Sequence, residues 1–102
     1  MDHWEYLRHL TLDSHEPAAP PGALDAKARS LVRLGALVAV LATAPSVRAE
    51  IDVAVSTGAT AAEIVDVLDT VLPVVGRPRV VAAAPKVALA LGDDLDLLDD
   101  PG

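Results

Sequence analysis

The chain contains no cysteine, and this absence excludes three kinds of chemistry at once. Without thiols it offers no disulfide, no thiolate metal site and no thiol nucleophile. It also lacks phenylalanine, and Trp4 and Tyr6 are its only aromatic side chains of the Phe, Trp and Tyr type. Ala, Val and Leu side chains suit closely packed helices, and little period-two alternation typical of strands is present. We therefore predict an all-α fold.

Long apolar runs are also missing. The longest run without a charged residue, 34–47, is shorter than the roughly 18 residues that a membrane-spanning helix requires. No charged segment precedes an apolar run in the manner of a signal peptide. These features predict a soluble, cytoplasmic protein that does not bind membranes.

The formal net charge of −7 comes mainly from one end of the chain. The last ten residues contain five aspartates and no base, which leaves ten acidic and eight basic residues, a net charge of −2, in residues 1–92. We predict an acidic, disordered tail over residues 93–102, with a partner-binding tail as the alternative. Nucleic acid is not an expected partner, because it binds basic surfaces.

Residues 2–12 predict a short helix with Trp4 on its apolar side, too short to be stable alone. We expect Trp4 to dock on the body or on a neighbouring subunit. The proline-rich residues 14–22 predict an extended linker, so residues 1–23 form an N-terminal segment. The three histidines lie six residues apart, which does not match the spacing of helical metal ligands. We predict no metal and no cofactor.

The body, residues 24–92, is organised around two helices joined at Gly58. Thr60 and Glu63 have the spacing of a capping box and predict a helix start at Thr60. Gly58 provides the left-handed conformation that ends the preceding helix, for which Ser46 is the expected cap. Gly76 ends the second helix of the pair, and a last helix starts near Pro78. With the helix described next, the body therefore has about four helices.

Asp25 is the expected N-cap of the first body helix, which we predict to run to about Thr43. Ser30 is assigned to its outer, polar side. Because the second half of this helix is apolar all round, it requires cover on every side, and a body of 69 residues rarely supplies this. The chain is therefore predicted to associate with itself. The expected core residues are Ala28, Leu31, Val32, Gly35, Val38, Ala39 and Ala42.

Three segments, in this order and spacing, resemble the carboxymuconolactone decarboxylase and alkyl hydroperoxidase D-like family: residues 24–31, residues 58–64 and the Gly-x-Pro at 76–78. The resemblance covers about residues 24–91. It implies a small orthogonal helical bundle that assembles into homotrimers or homohexamers, with active sites beside subunit contacts.

The peroxidase branch of that family uses two cysteines, a histidine and an acidic residue. Counting back from Gly58, the histidine position holds Glu50 and the cysteine positions hold Thr43 and Ser46, while the acid falls at about Ser30. Hydroxyl groups cannot replace thiols in this chemistry. The resemblance therefore implies no thiol peroxidase activity.

Two hypotheses follow for Glu50. In the first, the chain is a decarboxylase or lactone-processing enzyme that acts on a small carboxylate or lactone. Glu50 then transfers a proton, if its surroundings favour the neutral form, and Arg29, Arg33 and Arg48 hold the substrate carboxylate. In the second, Glu50 is a surface or interface carboxylate paired with Arg33 or Arg48. The chain is then a non-catalytic oligomeric binding or accessory protein of the same fold.

Overall fold

The structure, a computed structural model, describes residues 2–12 and 22–95 of the chain. These residues form α-helices and connecting turns and contain no strand, which confirms the predicted all-α class. The four body helices and the short N-terminal helix are present as predicted. The helices are α1 (His3–Thr11), α2 (Ala26–Ala39), α3 (Ala44–Ser56), α4 (Ala61–Val75) and α5 (Arg77–Leu95).

Helices α2 to α5 form one small bundle. Each helix packs mainly on two neighbours, so that the order around the bundle is α2, α3, α5, α4. Aliphatic side chains from all four helices, with Ala59 from the turn before α4, meet in a common core. Its small side chains allow the helices to approach closely, as the composition predicts. The buried hydrophobic residues are Leu34, Val38, Val47, Ile51, Ala54, Ala59, Ile64, Ala83, Val87 and Ala90.

The turn between α3 and α4 matches the sequence prediction. Gly58 has a φ of 102°, a value that side chains other than hydrogen disfavour. The Glu63 N–H donates to Thr60 Oγ1 at 3.1 Å, and the Thr60 N–H donates to Glu63 Oε1 at 2.9 Å. This reciprocal pair is the predicted capping box, and it starts α4 without an intervening loop.

Replacing Thr60 with alanine removes the side-chain acceptor for the Glu63 N–H. We expect the free energy of unfolding to fall by about 1 kcal/mol, the usual effect of losing an N-cap side chain. Urea denaturation followed by circular dichroism measures this change. Thr70→Ala is the control, because Thr70 lies exposed within α4 and should change stability by less than about 0.5 kcal/mol. Equal losses in both variants would contradict a capping role.

Glu63 also links α4 to α2, since its Oε2 accepts a hydrogen bond from Lys27 Nζ at 3.0 Å. The Thr60 backbone N–H and then the Lys27 ammonium lower the pKa of Glu63 below its ordinary value of 4.5. The carboxylate is thus ionised in the folded chain at neutral pH. Its contribution to stability is complete above the ordinary pKa and is lost as the pH falls through the lowered value.

The end of α2 differs from the prediction, which extended this helix to about Thr43. The helix ends at Ala39, and Leu41 adopts a left-handed conformation with a φ of 57°. The N–H of Leu41 donates to the Val38 carbonyl, and the N–H of Ala42 reaches back to the Leu37 carbonyl at 3.0 Å. This pattern closes a helix end that usually carries glycine. The sequence prediction was wrong because no glycine marks the stop.

The start of α3 was also predicted wrongly. It begins at Ala44 with Thr43 at the N-cap position, whereas Ser46 was the expected cap. Pro45 fits the first turn because the N–H that it lacks would have no partner within the helix there. The hydroxyls of Thr43 and Ser46 hydrogen-bond each other at 3.2 Å.

The buried side of α2 is rotated relative to the predicted one. Ser30 was assigned to the outer side but is fully buried, and Leu34, also fully buried, was not among the expected core residues. Val32, an expected core residue, is 61% exposed. Gly35 and Val38 are buried as predicted. The rotation follows from the neighbours of α2, which packs on α3, α4 and α5 and has in α3 a polar partner for Ser30.

The ends of the chain are described only in part. Helix α1 confirms the predicted short helix, with Asp2 as its N-cap, but within the described residues it packs against none of the other helices. The predicted docking of Trp4 on its own body is thus not observed, since this side chain is 75% exposed. Residues 13–21, which include all of the predicted linker except Gly22, and residues 96–102 of the predicted tail lie outside the described residues. Helix α5 includes residues 93–95, which were predicted to be the first three residues of the disordered tail.

Candidate functional site

Glu50, the predicted catalytic residue, lies on α3 beside the buried line formed by Val47, Ile51 and Ala54. Packing of that line against the core turns the Glu50 side chain toward α2. The side chain is 14% exposed, so it borders the core without being sealed within it.

Two residues of α2 bind both oxygens of the Glu50 carboxylate. The hydroxyl of the fully buried Ser30 lies 2.8 Å from Oε2 and 3.2 Å from the Glu50 carbonyl oxygen. Arg33 Nε, one helical turn further, donates to Oε1 at 3.1 Å. We call these three residues the Ser30–Glu50–Arg33 cluster. It joins α2 to α3 through polar contacts at the border of an otherwise apolar interface.

The other two arginines predicted to hold a substrate are placed elsewhere. Arg29 Nε donates to the Leu24 carbonyl at 3.1 Å, just before the start of α2. Arg48 lines a cavity of about 320 Å³ between α3 and α5, together with Lys86. Lys86 Nζ donates to the Ala42 carbonyl at 2.8 Å. Of the three arginines, Arg33 is therefore the one that the described contacts bring to Glu50.

The four positions identified through the family resemblance form two separate contacting pairs. Ser30, near the position that the resemblance implies for the acid, contacts Glu50, at the position that it implies for the histidine. Thr43 and Ser46, at the two cysteine positions, contact each other at the start of α3. The side chains at the four positions that the resemblance assigns to the peroxidase relay are three hydroxyls and a carboxylate. The role of Ser30 as the partner of Glu50 was missed because its polarity suggested a solvent-facing side chain.

The largest described cavity lies at a different place, between α2 and α4. It has a volume of about 530 Å³ and is lined mainly by aliphatic side chains, with Glu63, Asp66 and Thr70 as its polar members. We call it the α2–α4 groove. Sequence reasoning did not identify it, since Val32 was assigned to the core and Ala36 to neither side of α2. The apolar lining residues are Leu31, Val32, Gly35, Ala36, Val67 and Val71.

Neither of these two cavities includes Glu50 in its lining. Among residues 2–12 and 22–95, no group of three or more histidine, aspartate or glutamate side chains is arranged to hold a metal ion. Over the same residues, none of the helices combines the length and apolar composition needed to span a bilayer.

With four body helices around one apolar core and a short preceding helix, the chain is a small all-α bundle protein. The profile of the Carboxymuconolactone decarboxylase family matches residues 6–89, most of the chain, and the chain belongs to this family. The match confirms the resemblance and extends it into α1. No curated protein and no solved structure matches the chain significantly.

Proposed function

We propose that this chain is a non-catalytic, homo-oligomeric member of the carboxymuconolactone decarboxylase family that serves as a binding or accessory protein. One observation supports this most directly. Both carboxylate oxygens of Glu50, at the position of the family's proton-transferring histidine, accept hydrogen bonds from within the protomer. Glu50 then acts as a structural link between α2 and α3.

Proton transfer needs a group that reaches the reacting atom directly or through one water molecule. In the protomer, each Glu50 oxygen accepts a hydrogen bond, Oε2 from Ser30 and Oε1 from Arg33, and the α2–α4 groove and the cavity between α3 and α5 are lined by other residues. An acid or base also has to exchange its proton with a bound ligand. These contacts favour a structural role over a catalytic one.

The exposed apolar surface supports assembly. Large apolar side chains are exposed on each of the five described helices. We propose a homotrimer or homohexamer, as the family resemblance implies, in which subunit contacts cover much of this surface. A mass near 10.5 kDa by light scattering at micromolar concentration would contradict assembly. On the body helices these residues are Val32, Val53, Val65, Val74, Val81 and Leu89.

The second candidate function is proton transfer to a small carboxylate or lactone. It is favoured by the contact of Glu50 with Arg33, whose side chain is 52% exposed. Such an arginine can turn to bind a ligand carboxylate in bidentate fashion, which would free Oε1 of Glu50. Thiol peroxidase activity is not a candidate, because the chain contains no cysteine.

The variant Glu50→Gln separates the two candidates. Glutamine keeps an oxygen that accepts from Ser30 but loses the charge that faces Arg33. As a structural link, this variant should lose about 1 kcal/mol of unfolding free energy, a modest value because Arg33 is half exposed. Asp52→Asn is the matched control, since Asp52 lies exposed on the same helix and should change stability by less than about 0.5 kcal/mol.

Activity is measured on the same proteins, with carboxymuconolactone and other small lactones as substrates. We expect no turnover by the wild-type chain. If the wild-type chain shows turnover, and Glu50→Gln loses it while keeping wild-type stability, the structural role is contradicted and Glu50 is catalytic.

A further inference from the structure

Helix α1 presents an apolar side that nothing in the described part of the chain covers. Trp4, Leu7 and Leu10 lie on this side and are 75%, 46% and 55% exposed. A helix of nine residues is marginal in water unless its apolar side is packed against something. Its N-cap, a hydrogen bond from the Glu5 N–H to Asp2, fixes the start of the helix but buries no surface. Helix α1 therefore requires a docking partner.

The α2–α4 groove has the complementary shape and polarity. Its volume of about 530 Å³ has room for an indole ring together with a leucine side chain, and its lining is mostly aliphatic. Gly35 and Ala36 have small side chains and therefore leave space on the α2 side of the groove, while Val67 and Val71 line the α4 side. A large, flat, apolar side chain such as that of Trp4 gains most from this kind of surface.

The charges at the edges also match. On α1, Arg8 follows Trp4 by four residues and so flanks the apolar side, while Glu5 lies on the opposite side of the helix. The groove carries Glu63 and Asp66. Glu63 is paired with Lys27, whereas Asp66 is exposed and makes no ion pair among residues 2–12 and 22–95. A cationic side chain that binds beside Asp66 would provide this carboxylate with an ion-pair partner.

We propose that α1 of one protomer docks in the α2–α4 groove of a second copy, with Trp4 and Leu7 in the groove and Arg8 beside Asp66. In the described protomer α1 stands apart from its own body, so that each copy carries both an uncovered helix and an open groove. A closed ring of copies uses every helix and every groove.

This inference rests on the homo-oligomer proposed above and can fail independently of it. Trp4 is the only tryptophan, so intrinsic fluorescence reports its environment directly. As the wild-type concentration rises through the association range seen by light scattering, the Trp4 emission should shift to shorter wavelength. A shift that is already complete in the monomer would place α1 in its own groove and overturn the exchange between copies.

Two further variants test the contact itself. Trp4→Ala should weaken association by about 30-fold or more, the effect of removing a central aromatic anchor. Ala36→Glu places a charge in the groove at an exposed position and should weaken it to a similar degree, whereas Ala88→Glu, exposed on α5, should not. Circular dichroism checks that each variant is folded.

Charge reversal provides the most specific comparison. Asp66→Lys should weaken association several-fold, Asp69→Lys on the same helix but outside the groove should not, and Arg8→Glu should restore association to Asp66→Lys. A wild-type chain that stays monomeric overturns both this inference and the proposed assembly. An oligomer whose affinity is unchanged by Trp4→Ala and Ala36→Glu overturns the docking of α1 alone.

Discussion

Replacing Ile51 with alanine should lower the free energy of unfolding by about 2–5 kcal/mol, a large part of the stability of a domain of this size. Ile51 is fully buried on α3, the helix that packs on both α2 and α5. Truncation removes its apolar contacts and leaves a cavity that the surrounding helices fill only in part. Urea denaturation at a fixed protomer concentration measures the loss, because association couples to unfolding.

Two comparisons make this result specific. Ile51→Val removes one carbon and should cost about 0.5–1.5 kcal/mol. Val53 lies two residues away on the same helix, and its side chain is 41% exposed. Val53→Ala should therefore lower the free energy of unfolding by less than Ile51→Ala does. Similar losses in Val53→Ala and Ile51→Ala would mean that α3 is turned differently in the bundle, and the position of Glu50 would then also need revision.

Replacing Gly35 with leucine should destabilise the chain by about 1–3 kcal/mol through overpacking. An added Cβ at this position would lie 3.1 Å from Val71 Cγ1 and 3.7 Å from Val67 Cγ1. The further carbons of leucine would force α2 away from α4. This cost should exceed the gain of up to about 1 kcal/mol that comes from removing glycine from a helix.

Gly92 provides the matched control for this prediction. It is exposed within α5, and an added Cβ there would meet no atom within 4 Å. Gly92→Leu should therefore leave stability unchanged or raise it by up to about 1 kcal/mol. Thermal unfolding of the two variants gives the comparison. If both glycine replacements stabilise the chain equally, α2 and α4 do not approach closely at Gly35.

The Ser30–Glu50–Arg33 cluster links α2 to α3 through polar contacts at the border of their apolar interface. The hydroxyl of Ser30 lies 2.8 Å from Glu50 Oε2. In this chain the contact carries one charge from α3, and Arg33 supplies the opposite charge from α2. Replacing Glu50 or Arg33 with an uncharged side chain therefore tests whether this contact stabilises the fold. A test of catalysis is meaningful only after that effect is known.

The sequence by itself determined the helices and several of their ends. The start of α4 follows from Thr60 and Glu63, and the preceding turn follows from Gly58, because capping and left-handed turns depend on residues only a few positions apart. The family was also accessible from the sequence, through the order and spacing of these local signals, and the family match over residues 6–89 confirms it. The end of α2 at Ala39 was not accessible, because Leu41 adopts its left-handed conformation without a glycine to mark it.

The tertiary structure alone decided which side of α2 faces the core. A helix that is apolar around much of its surface has no single buried side until its neighbours are in place. Here α3 lies against Ser30 and supplies Glu50 as its partner, 20 residues further along the chain, which buries a hydroxyl that the pattern placed in solvent. The same rotation leaves Val32 exposed and opens the α2–α4 groove. Contacts between residues so distant in sequence have no local signal, so they appear only when the helices pack together.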